Sequence, residues 1–387
     1  MKKLNYFLSL MGFLAIASCT PDEPIDPIPT QNKVITSNIT KNTTWYSDTI
    51  YQLGGRITVV DGVTLTIEPG TIIKGEAGTG ANATALLIAR GGNIVAQGTP
   101  SLPIIFTSVA DEISQLDIAA GNFQSPNLDP IVNGLWGGVI VLGKARISPK
   151  PDATGEVSSV QIEGIPTSDA NGLYGGNDDS DNSGIISFVS IRHGGANIGS
   201  GNEINGLTLG GVGEMTTINN VEIVANQDDG IEWFGGSVNV SYVSVWNCGD
   251  DAIDTDQSWK GELNNFVVIS PAGHCFELDG PEGSYEAGHL IQNGDIYVGT
   301  GQDLINVDAN SIVDLKHLYF TDITSTNSKI NRTTAPGVTF ENIVLNVDTA
   351  TNYINGTLPQ SAVVEGQILK ANTTTLGWTW AKQAGKF

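Results

Sequence analysis

The chain has 387 residues, a formal net charge of −23 at neutral pH, 47 glycines and only 15% charged residues. A chain this acidic is unsuited to nucleic acid, whose phosphates require lysine and arginine, but it suits cations or basic partners. Abundant glycine without a long helical pattern favours many short strands joined by turns and disfavours a doubly wound α/β fold.

The first residues of the sequence have the pattern expected of a targeting segment. Lys2 and Lys3 precede an apolar stretch over residues 4–17, which is shorter than a membrane span requires. The stretch ends in the sequence Ile-Ala-Ser-Cys, which resembles a bacterial lipobox. That resemblance implies a signal peptide over residues 1–18 and lipidation of Cys19, whose acyl chains would anchor the protein in a membrane. An ordinary cleaved signal peptide is the alternative.

Residues 19–33 are rich in proline and acidic side chains, and this composition predicts a flexible tether. Acidic residues directly after the cysteine resemble the surface-export signal of Bacteroidota lipoproteins. The resemblance implies an outer-membrane lipoprotein that is lipid-anchored and faces the cell exterior.

We expect the folded domain to span residues 34–387. Its first half contains short β-branched segments, each closed by a turn residue. These segments are 57–60, 63–67, 85–89, 93–96, 104–107, 139–142 and 185–191. A C-terminal cap is expected from about residue 346, with Trp378 and Trp380 covering the last coil, since stacked repeats require capping.

A short acidic phrase repeats in the second half at residues 228–232, 250–254, 273–277 and 303–306. The phrases align at positions 229, 251, 274 and 303, which are 22, 23 and 29 residues apart, and a weaker copy at 205–208 lies 24 residues upstream. Repeats of this length indicate stacked coils, whereas the blades of a β-propeller need about 40–50 residues. The sequence therefore predicts an all-β, right-handed parallel β-helix.

Stacking of these coils predicts three columns of side chains. The first column holds Asp229, Asp251, His274 and Asp303. The second column holds Glu232, Asp254, Glu277 and Asn306. An interior apolar column holds Leu207, Ile231, Ile253, Phe276 and Ile305. We refer to the first two columns together as the acidic stripe.

Three further segments, 65–71, 136–143 and 191–196, together with the acidic phrases, resemble a family of β-helix lipoproteins found in Bacteroidota and other Gram-negative bacteria. The resemblance covers the chain from about residue 34 to its end. It implies the fold and a location in the cell envelope, and it implies no particular activity.

One interpretation of the stripe is enzymatic. The acidic phrases resemble, in order and spacing, the motifs of polygalacturonases, which are also right-handed β-helices. The resemblance implies that Asp251 is the general acid, that Asp229 and Asp250 activate water, and that His274 is auxiliary. The Arg-x-Lys motif that binds the substrate carboxylate in those enzymes has no counterpart after His274. Since the net charge also repels anionic polymers, this interpretation predicts a neutral or weakly charged glycan as substrate.

A second interpretation is cation or ligand binding. Carboxylates in adjacent coils, about 4.8 Å apart, repel each other by roughly 0.9 kcal/mol even in water, and hard oxygen ligands suit Ca²⁺. The candidate calcium ligands in the stripe and beside it are Glu232, Asp254, Asp256, Glu277 and Asp279. A separate loop, with half of a calcium-loop pattern, adds Asp179, Asp181 and Ser183. Three aromatic side chains could stack on a glycan ligand or pack inward instead. These are Trp233, Phe234 and Trp259.

A third interpretation is structural, because Asp and Asn side chains hydrogen-bond nearby backbone and shape turns. Cys248 and Cys275 occupy different positions in the repeat, which favours two buried thiols over a disulfide. We expect a non-enzymatic binding or accessory role. Bacteroidota lipoproteins commonly work with an outer-membrane β-barrel or transporter, and this suggests the partner. A polygalacturonase-like glycoside hydrolase is the alternative.

Overall fold

The chain folds into two long parallel sheets and one short hairpin, and the computed structural model describes residues 31–198, 204–299, 303–331, 334–356 and 368–387. The predicted signal peptide and Cys19 lie outside the described residues. Within the described ranges, no helix is long and apolar enough to cross a membrane.

The larger sheet has fourteen parallel strands. They are β1 (Gln31–Ile35), β2 (Thr43–Trp45), β3 (Thr49–Leu53), β5 (Thr64–Ile67), β6 (Ile72–Gly75), β8 (Asn93–Gln97), β9 (Ile104–Ser108), β13 (Gly184–Arg192), β15 (Thr217–Val224), β17 (Val240–Trp246), β19 (Glu262–Ile269), β21 (His289–Gly299), β23 (Val313–Ile323) and β24 (Val338–Leu345). Strand β1 begins at Gln31, the first residue that the structure describes, and the domain boundary near residue 34 stays a prediction.

The second sheet has eight parallel strands. They are β4 (Arg56–Val59), β7 (Ala85–Ile88), β10 (Val139–Leu142), β14 (Leu207–Gly210), β16 (Ile231–Phe234), β18 (Ile253–Asp256), β20 (Phe276–Leu278) and β22 (Asn306–Val307). The remaining elements are the antiparallel hairpin β11 (Val160–Gln161) and β12 (Leu173–Tyr174), the helices α1 (Gln115–Ala119) and α2 (Trp380–Gln383), and 3-10 turns at Gly80–Asn82, Ala170–Gly172 and Ala350–Tyr353.

From β13 to β23 the chain alternates between the two sheets, and each strand pairs in parallel with the strand one coil away. This arrangement confirms the predicted parallel β-helix. The apolar column is also confirmed, because its members are successive partners in the second sheet. They are Leu207, Ile231, Ile253 and Phe276. Ile305 continues the stack by bridging Ile330 in the next coil.

Each long strand bends near its middle, at a residue with a left-handed backbone. The bends stack at Phe188, Asn220, Tyr242, Asn265, Asn293, His317 and Asn342, all with φ between 51° and 59°. Asparagine tolerates this conformation best among residues with a side chain, which explains why four of the seven are asparagine. The strand halves on either side of the bend form separate faces, since β8 and β9 pair with opposite ends of β13. Each coil therefore has three sides.

The interior is filled by a continuous cluster of aliphatic and aromatic side chains. Cys248 and Cys275 are both buried there and both are free thiols. The prediction of two buried thiols is thus confirmed.

The segment between β10 and β13 covers part of the outer face of the second sheet. Its Ile147, Ile162 and Tyr174 pack on apolar side chains of β7 and β10 and on Phe234 at the end of β16. A second insertion at 281–288 packs against the first, through a hydrogen bond from Gly283 N to Ser148 O (3.0 Å). Beyond this cover, the outward positions of β18 and β20 carry the carboxylates of the stripe.

Residues 368–387, which we call the C-terminal strap, run back across the outer face of the larger sheet. The backbone N–H of Ala371 donates to Asp295 in β21, and that of Ala381 donates to Glu222 in β15. Trp378 packs edge-on against Phe188, and Trp380 against Trp246. The prediction that Trp378 and Trp380 cap the last coil is therefore wrong, because both rings find their apolar partners on the middle coils.

Candidate cation-binding site

The first column of the stripe lies in the turns that lead from the larger sheet into the second. Backbone hydrogen bonds join these turns from coil to coil and confirm the column. They run from Gly206 N to Asp229 O, from Gly230 N to Asp251 O, from Ala252 N to His274 O and from Cys275 N to Asp303 O.

The carboxylates of this column also hold the coils together. Asp229 Oδ1 accepts a hydrogen bond from the backbone N–H of Asp251 (2.9 Å), and Asp251 accepts one from the backbone N–H of His274. Asp303 Oδ1 accepts in the same way from the backbone N–H of Lys329 (3.1 Å). The structure thus gives these side chains the turn-shaping role of the third interpretation, with bonds that reach the next coil.

The second column is confirmed by strand register, in which Glu232 pairs with Asp254, Asp254 with Glu277, and Glu277 with Asn306. The donor oxygens of Asp229, Glu232 and Asp254 all lie within 4.8 Å of one another. None of these three forms an ion pair with a lysine or arginine in the ranges that the structure describes.

Burial raises the pKa of each of these three carboxyl groups well above its usual value, and repulsion from neighbouring carboxylates raises it further. Asn205, at the start of the first column, donates from Nδ2 to Glu232, while its own Oδ1 is buried without a partner. An oxygen-rich cluster of this kind is costly in the folded state unless protons or a cation neutralise it. We call this group of three the carboxylate triad.

A second group surrounds His274 one coil further along. Its Nδ1 lies 2.9 Å from Asp251 Oδ1 and 3.9 Å from Glu277 Oε2, and its Nε2 lies 4.0 Å from Asp303 Oδ2. The close Asp251 carboxylate raises the pKa of His274 to about 9. Interaction with Asp251, and then burial, raises the pKa of Glu277 to about 8. Burial acts to raise the pKa of Asp251, but its contacts with His274 and Glu277 outweigh burial and leave that pKa lowered.

Three other predicted residues lie at the edges of this arrangement. Asp250 is exposed and joins Asp228 and Asp229 at the rim of the turn. Asp256 sits at the far end of β18, where burial and then Glu282 raise its pKa to about 7. Among the described residues, three groups of side chains bring at least three possible metal-ligand atoms within 4.8 Å of one another. Neither Asp256 nor Asp279 belongs to any of these groups.

In the predicted calcium loop at residues 179–184, the acidic side chains already have partners within the chain. Asp179 is held by the Arg146 guanidinium, whose Nε lies 3.1 Å and 3.0 Å from its two carboxylate oxygens. Asp181 and Ser183 are buried and bonded to each other (3.2 Å). The structure therefore argues against calcium here, because the charge of Asp179 is already neutralised by an arginine 33 positions away in the chain.

The predicted stacking residues do not face a ligand. Trp233 and Trp259 are buried in the interior and stack on each other, with ring centroids 4.6 Å apart. Phe234 faces outward but is covered by Tyr174 at a centroid distance of 6.0 Å. The stacking prediction is wrong for all three, because the interior and the first insertion already supply their apolar partners.

One acidic residue near the stripe was not predicted. Glu163, in the first insertion, lies close enough to raise the pKa of Glu232 and of Asp256 by repulsion. Glu163 lies outside the repeat, so the spacing of the coils could not predict its position near the stripe.

These shifts predict that stability falls as pH rises. The folded state keeps protons on Asp256 and Glu277 that the unfolded chain loses above about pH 4, so folding is penalised progressively up to pH 7–8. The raised pKa of His274 stabilises the folded state fully below about pH 6.5, and this stabilisation is lost by about pH 9. In chelator, urea unfolding should show a loss of about 2–4 kcal/mol from pH 5 to pH 9. A constant or rising stability over that interval would contradict the assigned environments.

Comparison with known families agrees with the architecture. The model of the family described as "Pectate-lyase like beta helix domain" matches residues 37–121 and 127–382. No curated protein and no solved structure matches the chain. The narrower resemblance to Bacteroidota lipoproteins stays a prediction. Since the family match covers most of the chain, the protein belongs to the family of pectate-lyase-like β-helix domains.

Proposed function

We propose that the protein is a non-enzymatic binding protein whose carboxylate triad holds a Ca²⁺ ion. The observation that carries the proposal is the meeting of Asp229, Glu232 and Asp254, with no basic partner among the described residues. Calcium binds oxygen at about 2.4 Å, so oxygens on opposite sides of the ion are about 4.8 Å apart. The three donor oxygens lie within that diameter of one another.

The burial of the triad supports a hard cation in particular. A bound ion would offset the repulsion that raises the pKa of these groups and would allow all three to be ionised at neutral pH. Carboxylate and amide oxygens are the ligands that calcium prefers. Asn205, whose amide already contacts Glu232, offers a neutral oxygen at the edge of the same cluster.

A glycoside hydrolase is the second candidate; the matched family is described by its likeness to pectate lyase, which also acts on a polysaccharide but cleaves it by elimination. Environments that push two carboxyl pKa values apart are also typical of acid–base pairs. Here they favour Glu277 as the acid and Asp251 as the base, which reverses the role that the polygalacturonase resemblance implied for Asp251. Against this candidate, Asp251 is only 2% exposed and its carboxylate is engaged by backbone of the next coil.

The proposal also includes the location of the protein in the cell envelope. The lipobox-like sequence ending at Cys19 and the acidic tether after it support a lipid-anchored protein on the outer face of an outer membrane. A calcium-bound β-helix at that place would serve as an accessory component of an outer-membrane β-barrel or transporter, or would hold a glycan ligand. Capture of a defined membrane partner by the lipidated protein would support this part independently of calcium.

Calorimetric titration of Ca²⁺ into the chelator-treated, detergent-solubilised protein tests the main proposal. We expect one ion per chain and a stabilisation of about 2.7 kcal/mol at a calcium concentration 100 times the Kd. Glu232→Gln should abolish binding, whereas Glu341→Gln, an exposed glutamate on β24, should leave it unchanged.

A polysaccharide panel run beside the titration separates the two candidates. Release of reducing ends that is lost in Asp251→Asn, without calcium binding, would replace the proposal with the hydrolase. Absence of both responses would leave the stripe with its turn-shaping role alone.

A further inference from the structure

The group around His274 differs chemically from the carboxylate triad, because it adds a nitrogen donor. Asp251, His274 and Glu277 each present one ligand atom, and these atoms lie within 4.8 Å of one another. None of the three belongs to the triad. Imidazole nitrogen is a poor ligand for calcium and a preferred one for zinc and similar transition metals.

The distances fit a small ion. Zinc binds nitrogen and oxygen at about 2.0–2.2 Å in tetrahedral geometry, so neighbouring ligand atoms around it are about 3.3–3.6 Å apart. The separations from His274 Nδ1, 2.9 Å to Asp251 Oδ1 and 3.9 Å to Glu277 Oε2, lie on either side of that interval. The buried Nδ1 atom forms an ion pair with Asp251 that is not aligned as a hydrogen bond. A metal ion between these three atoms would displace the proton from Nδ1 and would be bound by both carboxylates as well.

The surrounding contacts orient each ligand. Asn306 Nδ2 donates to Glu277 Oε1 (3.2 Å), which leaves Oε2 directed toward the imidazole. The backbone N–H of His274 fixes Asp251. On the far side of the ring, Asp303 Oδ2 lies 4.0 Å from Nε2. A carboxylate behind the second ring nitrogen is the usual companion of a metal-bound histidine.

The group is also reachable from solvent. The His274 and Glu277 side chains are 24% and 32% exposed, whereas Asp251 at the floor is 3% exposed. An ion can therefore enter, and three protein ligands would leave one coordination position for water or for a donor atom of another molecule.

From this arrangement we propose that Asp251, His274 and Glu277 form a transition-metal site of the zinc type, oriented by Asp303 and separate from the calcium site. This proposal goes beyond the proposed function, since the two sites have no ligand in common.

Cobalt(II) is the probe that tests the proposal, because its visible absorption reports nitrogen ligation and low coordination number. We expect the full-length protein, saturated with Ca²⁺, to bind one Co²⁺ with that spectrum and to release it to Zn²⁺. His274→Gln should abolish the spectrum, and Asp303→Asn should weaken binding by about 10- to 100-fold. His317→Asn, which places asparagine at a bend where other coils have it, is the matched control and should change nothing.

Two further variants keep the test decisive. Glu277→Gln should also weaken cobalt binding, so the proposal can be judged even if His274→Gln does not fold. Glu232→Gln should leave cobalt binding intact while removing calcium, which separates failure of this site from failure of the calcium site. The proposal is overturned if the wild type shows no such spectrum, or if His274→Gln and Glu277→Gln bind cobalt as the wild type does.

Discussion

Replacing Glu222 with glutamine is expected to lower the free energy of unfolding by about 3–5 kcal/mol. Glu222 and Arg192 are fully buried under the C-terminal strap, with Arg192 Nη2 and Glu222 Oε2 3.6 Å apart. Ser190 Oγ donates to Glu222 (2.7 Å), and the Arg192 guanidinium lies over the Trp380 ring. Burial acts against both charges, since it raises the pKa of Glu222 and lowers that of Arg192. The neutral amide would leave the buried guanidinium without a counter-charge.

Urea unfolding measures this effect, and the chain offers a matched control. Glu341→Gln breaks the Lys316–Glu341 pair (3.5 Å), which is solvent-exposed and should cost no more than about 1 kcal/mol. Exchange of both buried partners for apolar residues, Arg192→Met with Glu222→Leu, should recover most of the loss. Equal effects of Glu222→Gln and Glu341→Gln would show that the strap does not bury this pair.

Asp254→Asn is expected to have opposite effects with and without calcium. In chelator at pH 8 it should stabilise the protein by about 1–3 kcal/mol, because two charges within 4.8 Å repel by roughly 3 kcal/mol at an effective dielectric constant near 20. With calcium present it should remove the stabilisation that the wild type gains, since a ligand of the triad is lost.

Thermal unfolding with and without calcium measures both effects. Asp348→Asn makes the same chemical change at an exposed position far from the stripe and should alter neither value. A loss of stability for Asp254→Asn in chelator would mean that its carboxylate is neutralised within the chain, and the calcium account would fail.

The repeat allowed the fold and the stripe to be predicted because coil length is nearly constant. A spacing of 22–23 residues places Asp229, Asp251 and His274 at the equivalent turn of successive coils, whatever the other residues are. The inward orientation of Trp233 could also have been predicted from the sequence. It follows the inward Ile231 by two positions, and alternation along a strand therefore directs it inward.

Other features could not be predicted, because they depend on contacts between residues far apart in the chain that leave no local pattern in the sequence. Ala381 meets Glu222 across 159 positions of the chain, so nothing near Trp378 or Trp380 indicated that they pack on the middle coils. The neutralisation of Asp179 by Arg146 is of the same kind, since their separation has no relation to the repeat. Insertions and the strap escape prediction because their positions are set by packing after the coils have stacked.

Diffraction from crystals grown with Ca²⁺, recorded at a wavelength where calcium scatters anomalously, tests the central claim most directly. The account predicts an anomalous peak about 2.3–2.6 Å from carboxylate oxygens of Asp229, Glu232 and Asp254. Calcium peaks elsewhere on the molecule, with no peak among these three side chains, would contradict it.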